Sequence, residues 1–165
     1  MTQIDQIYPG VAMVVFNQKG EVLLQKRADI AKWGLLSGHV EPGETVENAA
    51  IREVREEAAL TVKVKKLIGV YSDPNFQLFH YPTGKCVHFI TNCFLMEITG
   101  GSLLNNSNES LALKFFNPEH LPENLLKMGA FVVTRCTIWS RSSIYSVIIW
   151  KERIFNAVFL GLAEI

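Results

Sequence analysis

The stretch from Gly38 to Leu60 constrains this chain more than any other part of it. Six of the sixteen acidic residues fall between Glu41 and Glu57. Gly34, Gly38, Pro42 and Gly43 make residues 31–44 bend instead of forming one long element. Thr45 then stands where a helix N-cap is needed, its hydroxyl able to satisfy an orphan backbone N–H. Residues 46–58 are rich in Ala, Glu and Arg, all good helix formers. At about 100° per residue, Glu53, Glu56 and Glu57 share roughly 100° of arc, and Ala50, Ile51, Val54 and Ala58 occupy the neighbouring arc. The helix therefore carries an acidic stripe along the border of its buried face.

A Glu/Arg run on a helix is most often a solvated face laced by i,i+4 pairs such as Arg52 with Glu56. Energetics oppose that reading here. Two carboxylates about 5 Å apart repel by roughly 3 kcal/mol at an effective dielectric of 20. Three of them crowded beside a buried face call for a neutralising cation. Oxygen donors with no sulfur or imidazole among them select Mg²⁺ or Mn²⁺ over zinc.

The rest of the chain supplies a sheet. The apolar run at residues 11–16, the turn Asn17-Gln18-Lys19-Gly20 and the return at 22–25 read as a hairpin. Further strands are expected near 62–72 and 87–98 and at 111–116, with Gly100-Gly101 as a turn. Pro118 and Pro122 bracket a short irregular or helical segment. Residues 130–150, rich in Val, Ile, Ser, Thr and aromatics, favour strand. Ile154, Phe155, Val158, Phe159 and Leu162 recur at the spacing of a closing amphipathic helix. Strands on both sides of one strong helix predict an α/β or α+β fold with a mixed sheet.

The 165 residues suit a single domain spanning 1–165. Sixteen basic residues balance sixteen acidic ones, which argues against broad, sequence-independent nucleic-acid binding. Arg135 and Arg141 interrupt the apolar tail and argue against a membrane span. Met1-Thr2-Gln3-Ile4-Asp5 has neither a basic start nor an apolar core, so a cytoplasmic protein is expected. Cys86, Cys93 and Cys136 lack zinc-ligand spacing and read as reduced thiols. The four histidines share no nucleophile–base spacing.

From Gly38 to Leu60 the chain reads G-x5-E-x7-R-E-V-x-E-E-x-A-L. This resembles the Nudix box of the Nudix (MutT-like) hydrolases, G-x5-E-x7-R-E-U-x-E-E-x-G-U, where U is a bulky apolar residue. Two positions depart from the pattern. Ala59 replaces a glycine at a left-handed helix terminus, and Ser37 replaces the glycine before the box, which keeps the backbone carbonyl. Gln25-Lys26-Arg27, Tyr71-Ser72-Asp73-Pro74, Tyr81-Pro82-Thr83-Gly84, Gly100-Gly101, Phe115-Phe116-Asn117-Pro118 and Leu121-Pro122 look like the ADP-ribose pyrophosphatase-like branch. From Met128 onward the resemblance stops. Relatives usually close with a charged helix, whereas this tail, atypical from residue 127 on, holds only Glu152 and Glu164 as acids.

The resemblance implies an α/β/α sandwich around a mixed sheet, with a loop–helix–loop carrying the box. It also implies Mg²⁺-dependent hydrolysis of a nucleoside diphosphate linked to another group, such as ADP-ribose or a nucleotide sugar, with Mn²⁺ as a substitute ion. Glu53, Glu56 and Glu57 would hold the metal, Arg52 would orient them, and Glu44 would tie the loop to the helix. The general base would be Glu53 or Glu56, or Glu97 or Glu109 from later in the chain. Arg27, Trp33 and Gly38 are the candidates for substrate contact. The implied partner is a small nucleotide, not a nucleic acid or a membrane; relatives are often homodimers, and an apolar tail suits an interface. Two alternatives stand beside this: a nucleoside triphosphate pyrophosphohydrolase, and a non-catalytic module that senses a nucleotide.

Overall fold

The computed structural model describes residues 3–81 and 83–141. Eleven elements run in the order β1 (Gln6–Phe16), β2 (Val22–Arg27), β3 (Trp33–Gly34), β4 (Leu36–His39), α1 (Val46–Ala58), β5 (Leu60–Tyr71), α2 (Pro74–Gln77), β6 (Leu78–His80), β7 (Cys86–Gly101), β8 (Ser110–Phe116) and α3 (Lys127–Arg141). Among the described residues, the eight strands join one sheet. Its spine runs β3-β2-β1-β7-β5, with β4 added to β1, β6 to β7 and β8 to β2. β1 lies parallel to β7 from Gln6 opposite Val87 to Phe16 opposite Glu97, while its partners β2 and β4 are antiparallel. The sheet is mixed.

The unbroken apolar run of β1 follows from burial on both faces. Its odd residues Val11, Met13 and Val15 pack with Ala49, Ala50, Val54 and Ala58 of α1. The even residues Ala12 and Val14 pack with Val132, Val133 and Cys136 of α3. Helices thus cover both faces of the sheet, the expected sandwich.

Two local expectations are corrected and two further elements appear. Residues 130–141 are helix, not strand. Met128, Val132 and Cys136 recur every fourth residue and press on the layer of Ala12, Leu24 and Cys93, and that burial outweighs the strand preference of β-branched residues. Gly100 and Gly101 make no turn; they end β7 opposite Thr61 and Leu60. The segment after Tyr71 forms α2, capped by the Asp73 side chain and opened by Pro74, and then β6, two elements the sequence reading did not foresee. Residues 142–150 and the closing helix expected around Ile154 to Leu162 lie outside the described residues. No helix among the described residues is long and apolar enough to cross a membrane.

Ala59 takes the left-handed conformation foreseen for its position, φ 55° and ψ 25°, and donates its N–H to the Arg55 carbonyl. A left-handed alanine costs roughly 1–2 kcal/mol, partly offset because glycine loses more entropy on folding. Ala59→Gly is therefore expected to stabilise the fold by about 1 kcal/mol, raising the melting temperature by about 2–4 °C. A melting temperature that falls in the variant counts against strain at this cap.

Candidate functional site

The chain enters the site through a tight turn. Glu44 donates its N–H to the Glu41 carbonyl, with Pro42 and Gly43 between them and Gly43 at φ 82°, a torsion that favours glycine. Thr45 Oγ1 accepts from the Asn48 N–H at 3.1 Å and starts α1. The turn leaves Glu44 facing Arg52 across the first turns of the helix.

Arg52 gathers the acids around one guanidinium. Its Nε donates to Glu44 Oε1 at 2.9 Å and its Nη2 to Glu44 Oε2 at 3.0 Å. The same Nη2 reaches the His39 carbonyl at 2.9 Å, and Nη1 donates to Glu53 Oε1 at 3.0 Å and Glu56 Oε2 at 3.1 Å. These bonds, led by that to Glu44, hold the Arg52 proton more firmly than usual and keep the Glu44 carboxyl below its ordinary range. Burial raises the Glu53 pKa against the pull of Arg52.

Glu57 is placed differently. It is buried, and its Oε1 accepts from Gln25 Nε2 at 3.2 Å while its Oε2 has no hydrogen-bond partner. Burial first, then the neighbouring Glu53, pushes its pKa up to about 7, with Gln25 pulling the other way. An unbonded oxygen on a buried carboxylate is costly unless something binds it.

Glu53, Glu56 and Glu57 line one wall of an open cleft, and Asn106, Ser107 and Glu109 complete its lining. The loop carrying the latter three is tied down at both ends. Leu104 and Asn106 donate N–H groups to the Ala58 and Glu57 carbonyls, and Ala28 donates to the Glu109 carbonyl. Ser107 Oγ accepts from the Glu109 N–H, and Asn105 Nδ2 donates to the Ser110 carbonyl. No described residue hydrogen-bonds the Glu109 carboxylate. Among the described residues, no three His, Cys, Asp or Glu side chains are already gathered into a metal cage, since Arg52 draws Glu53 and Glu56 to itself. The donor set, four carboxylates with one orphaned buried oxygen, nevertheless suits a hard divalent cation.

Glu44, Arg52, Glu53, Glu56, Glu57, Gly38 and Glu109 therefore come together, with Gly38 against the Glu53 carboxyl group. Glu97 does not. It is half-buried on the sheet, paired with Lys63 at 3.3 Å and Lys65 at 2.8 Å. Trp33 packs edge-on against Phe116 in the layer under α3, away from the acids of α1. Arg27 ends β2 near enough to Glu109 and Tyr81 to feel both, but its guanidinium is held by Asp29 at 3.0 and 2.8 Å. The sequence reading missed Gln25, Ser110, Asn106 and Ser107. For Gln25 a signal exists: it follows Leu23 at the two-residue spacing of one strand face, where an apolar residue is expected.

The NUDIX domain, as a family profile, matches residues 7–135, seven residues past Met128, where the recognisable sequence pattern ended. The chain is 36% identical over 121 residues to the ADP-ribose pyrophosphatase of Methanocaldococcus jannaschii, covering 71% of this chain and 67% of that one. It is 35% identical over 113 residues to a Bacillus subtilis (strain 168) protein provisionally named an 8-oxo-dGTP diphosphatase, 68% of each. The crystal structure of an ADP-ribose pyrophosphatase from Streptococcus suis 89-1591 is similar with a TM-score of 0.63 at 25% identity, over 84% of this chain and 96% of that chain.

Proposed function

The chain belongs to the NUDIX hydrolase family, and from that premise we propose that it cleaves the diphosphate of a nucleoside diphosphate linked to a second group, of the ADP-ribose or nucleotide-sugar type, with Mg²⁺ as cofactor. As a family member it is a hydrolase acting on nucleotide derivatives. The observation that carries the proposal is the four-carboxylate cleft in which one buried Glu57 oxygen has no partner. The named activities of the M. jannaschii and S. suis proteins support the choice of substrate class.

Glu53, Glu56 and Glu57 are the residues that would hold the metal. Divalent ions held there would supply positive charge to the diphosphate and lower the pKa of a water molecule. Arg52 keeps Glu53 and Glu56 aimed, and through Glu44 and the His39 carbonyl it locks α1 to the loop before it. Glu109 is the best-placed general base. Glu53 and Glu56 are bonded to Arg52 and Glu57 to Gln25, whereas the Glu109 carboxylate is free to take the proton of the attacking water. Ser107 accepts from the Glu109 N–H and so keeps its hydroxyl proton for a phosphate oxygen.

A second reading, release of diphosphate from a nucleoside triphosphate, is favoured by the name of the B. subtilis relative. A substrate panel with product analysis separates the two. Incubation of ADP-ribose with Mg²⁺ is expected to yield AMP and ribose 5-phosphate, and EDTA is expected to stop it. Diphosphate released from triphosphates with ADP-ribose left intact overturns the first reading in favour of the second. Turnover that survives EDTA overturns both.

A further inference from the structure

We propose that Gln25 is a positioning residue that couples the two walls of the cleft, holding Glu57 of α1 and Ser110 of β8 with the two hydrogens of one amide. The bonds run from Gln25 Nε2 to Glu57 Oε1 at 3.2 Å and to Ser110 Oγ at 2.6 Å, and all three residues are buried. The inference rests on the metal-holding role given above to Glu57.

Gln25 shares its strand face with Leu23, which lies in the apolar cluster under α1. A polar side chain in that layer is tolerated only if it is bonded. Its amide nitrogen must face Glu57, because an amide oxygen against a carboxylate would leave two acceptors opposed. The bond fixes one Glu57 oxygen and leaves the other, Oε2, unbonded.

A backbone irregularity supplies the third member. Gln25 lies opposite Leu113 and Lys26 opposite Ala112, but Arg27 lies opposite Ser110, so Leu111 is skipped. This bulge turns Leu111 out to solvent and brings Ser110 inward to the amide. Ser110 directly follows Glu109, the free carboxylate of the facing loop. Gln25 thus sets the Glu57 rotamer and the depth of the Glu109 loop together, touching neither substrate nor reacting atoms.

The test is Mn²⁺ titration by calorimetry on the whole chain, with melting temperature in EDTA measured in parallel. Gln25→Leu keeps the bulk but loses both bonds, and is expected to weaken Mn²⁺ binding by about 10- to 100-fold. KM for the nucleotide is expected to change by less than about threefold, because a loss confined to metal positioning leaves nucleotide contacts in place. Ser110→Ala is expected to weaken Mn²⁺ binding by a smaller factor, and Ser110→Thr, which keeps the hydroxyl, to restore it. A Gln25→Leu protein that binds Mn²⁺ within about twofold of wild type overturns the proposal. If that variant does not fold, Ser110→Ala binding equal to Ser110→Thr and wild type overturns it instead. Wild type that takes up no Mn²⁺ removes the metal-holding reading itself, and this inference with it.

Discussion

Gly38→Ala is expected to lower kcat/KM by about 100-fold while the melting temperature in EDTA changes little. Gly38 sits in β4 opposite Val11, with backbone torsions any residue adopts, so the requirement for glycine is one of contact. The three atoms nearest a Cβ at this position are the carboxyl carbon and both oxygens of Glu53, all in overlap with it. A carboxylate is the far end of a flexible side chain, so it can swing aside without unfolding the domain. It cannot do so and keep its place. Arg52 Nη1 holds it where it lines the cleft, and moving it by about 1 Å is enough to cost a factor of about 100 in rate. The decisive measurement pairs kcat/KM on the cleaved nucleotide with calorimetric Mn²⁺ affinity. Both are expected to fall together, and a kcat/KM within about threefold of wild type would show that the Glu53 position does not govern the chemistry.

What the sequence made legible here was written in short-range codes. Thr45 and Asn48 close a cap within one helical turn, so the start and body of α1 could be read from composition and spacing, while its left-handed end at Ala59 was legible through the resemblance to the family's box. Arg52, Glu53, Glu56 and Glu57 then share an edge of that helix by simple periodicity. The residues that resisted reading depend on contacts distant in sequence. Glu97 and Glu109 both lie near strand ends; strand pairing puts Glu97 opposite Phe16 and within reach of Lys63, while a loop anchored to the end of α1 delivers Glu109 to the cleft. Nothing within a dozen residues of either distinguishes them. The helical state of Val132 and Val133 is likewise decided by Ala12, Val14 and Leu24, which lie more than a hundred residues earlier. Gln25 is an intermediate case. Its polarity on an apolar face was visible, but its partners appear only when β2, β8 and α1 are assembled.

In metal-free buffer at pH 8, Glu57→Gln is expected to be more stable than wild type, and the difference is expected to vanish on acidification to about pH 4.5. The Glu57 carboxyl is raised from 4.5 to about 7 in the folded protein, chiefly by burial. Between these values the folded state keeps a proton that the unfolded state has lost, so stability falls as pH rises through the interval. The full loss, reached above the folded value, is about 3 kcal/mol, or roughly 6–12 °C in melting temperature for a chain of this size. Glutamine carries no charge to desolvate and escapes the penalty. Divalent ions at high concentration reverse the comparison. Wild type gains about 4.1 kcal/mol when the free ion stands at about 1,000 times its dissociation constant, and Glu57→Gln, without the charged oxygen, gains far less. Subtracting one melting curve from the other at each pH, with EDTA and then with Mg²⁺, isolates Glu57 from the Arg52 cluster, since both proteins share that cluster. A difference that stays flat from pH 5 to 8 in EDTA would mean that Glu57 is not a destabilised carboxylate. The same site would then need another reason for placing an unbonded oxygen beside the Glu53 charge, because only an ion that restores the lost solvation makes that arrangement favourable.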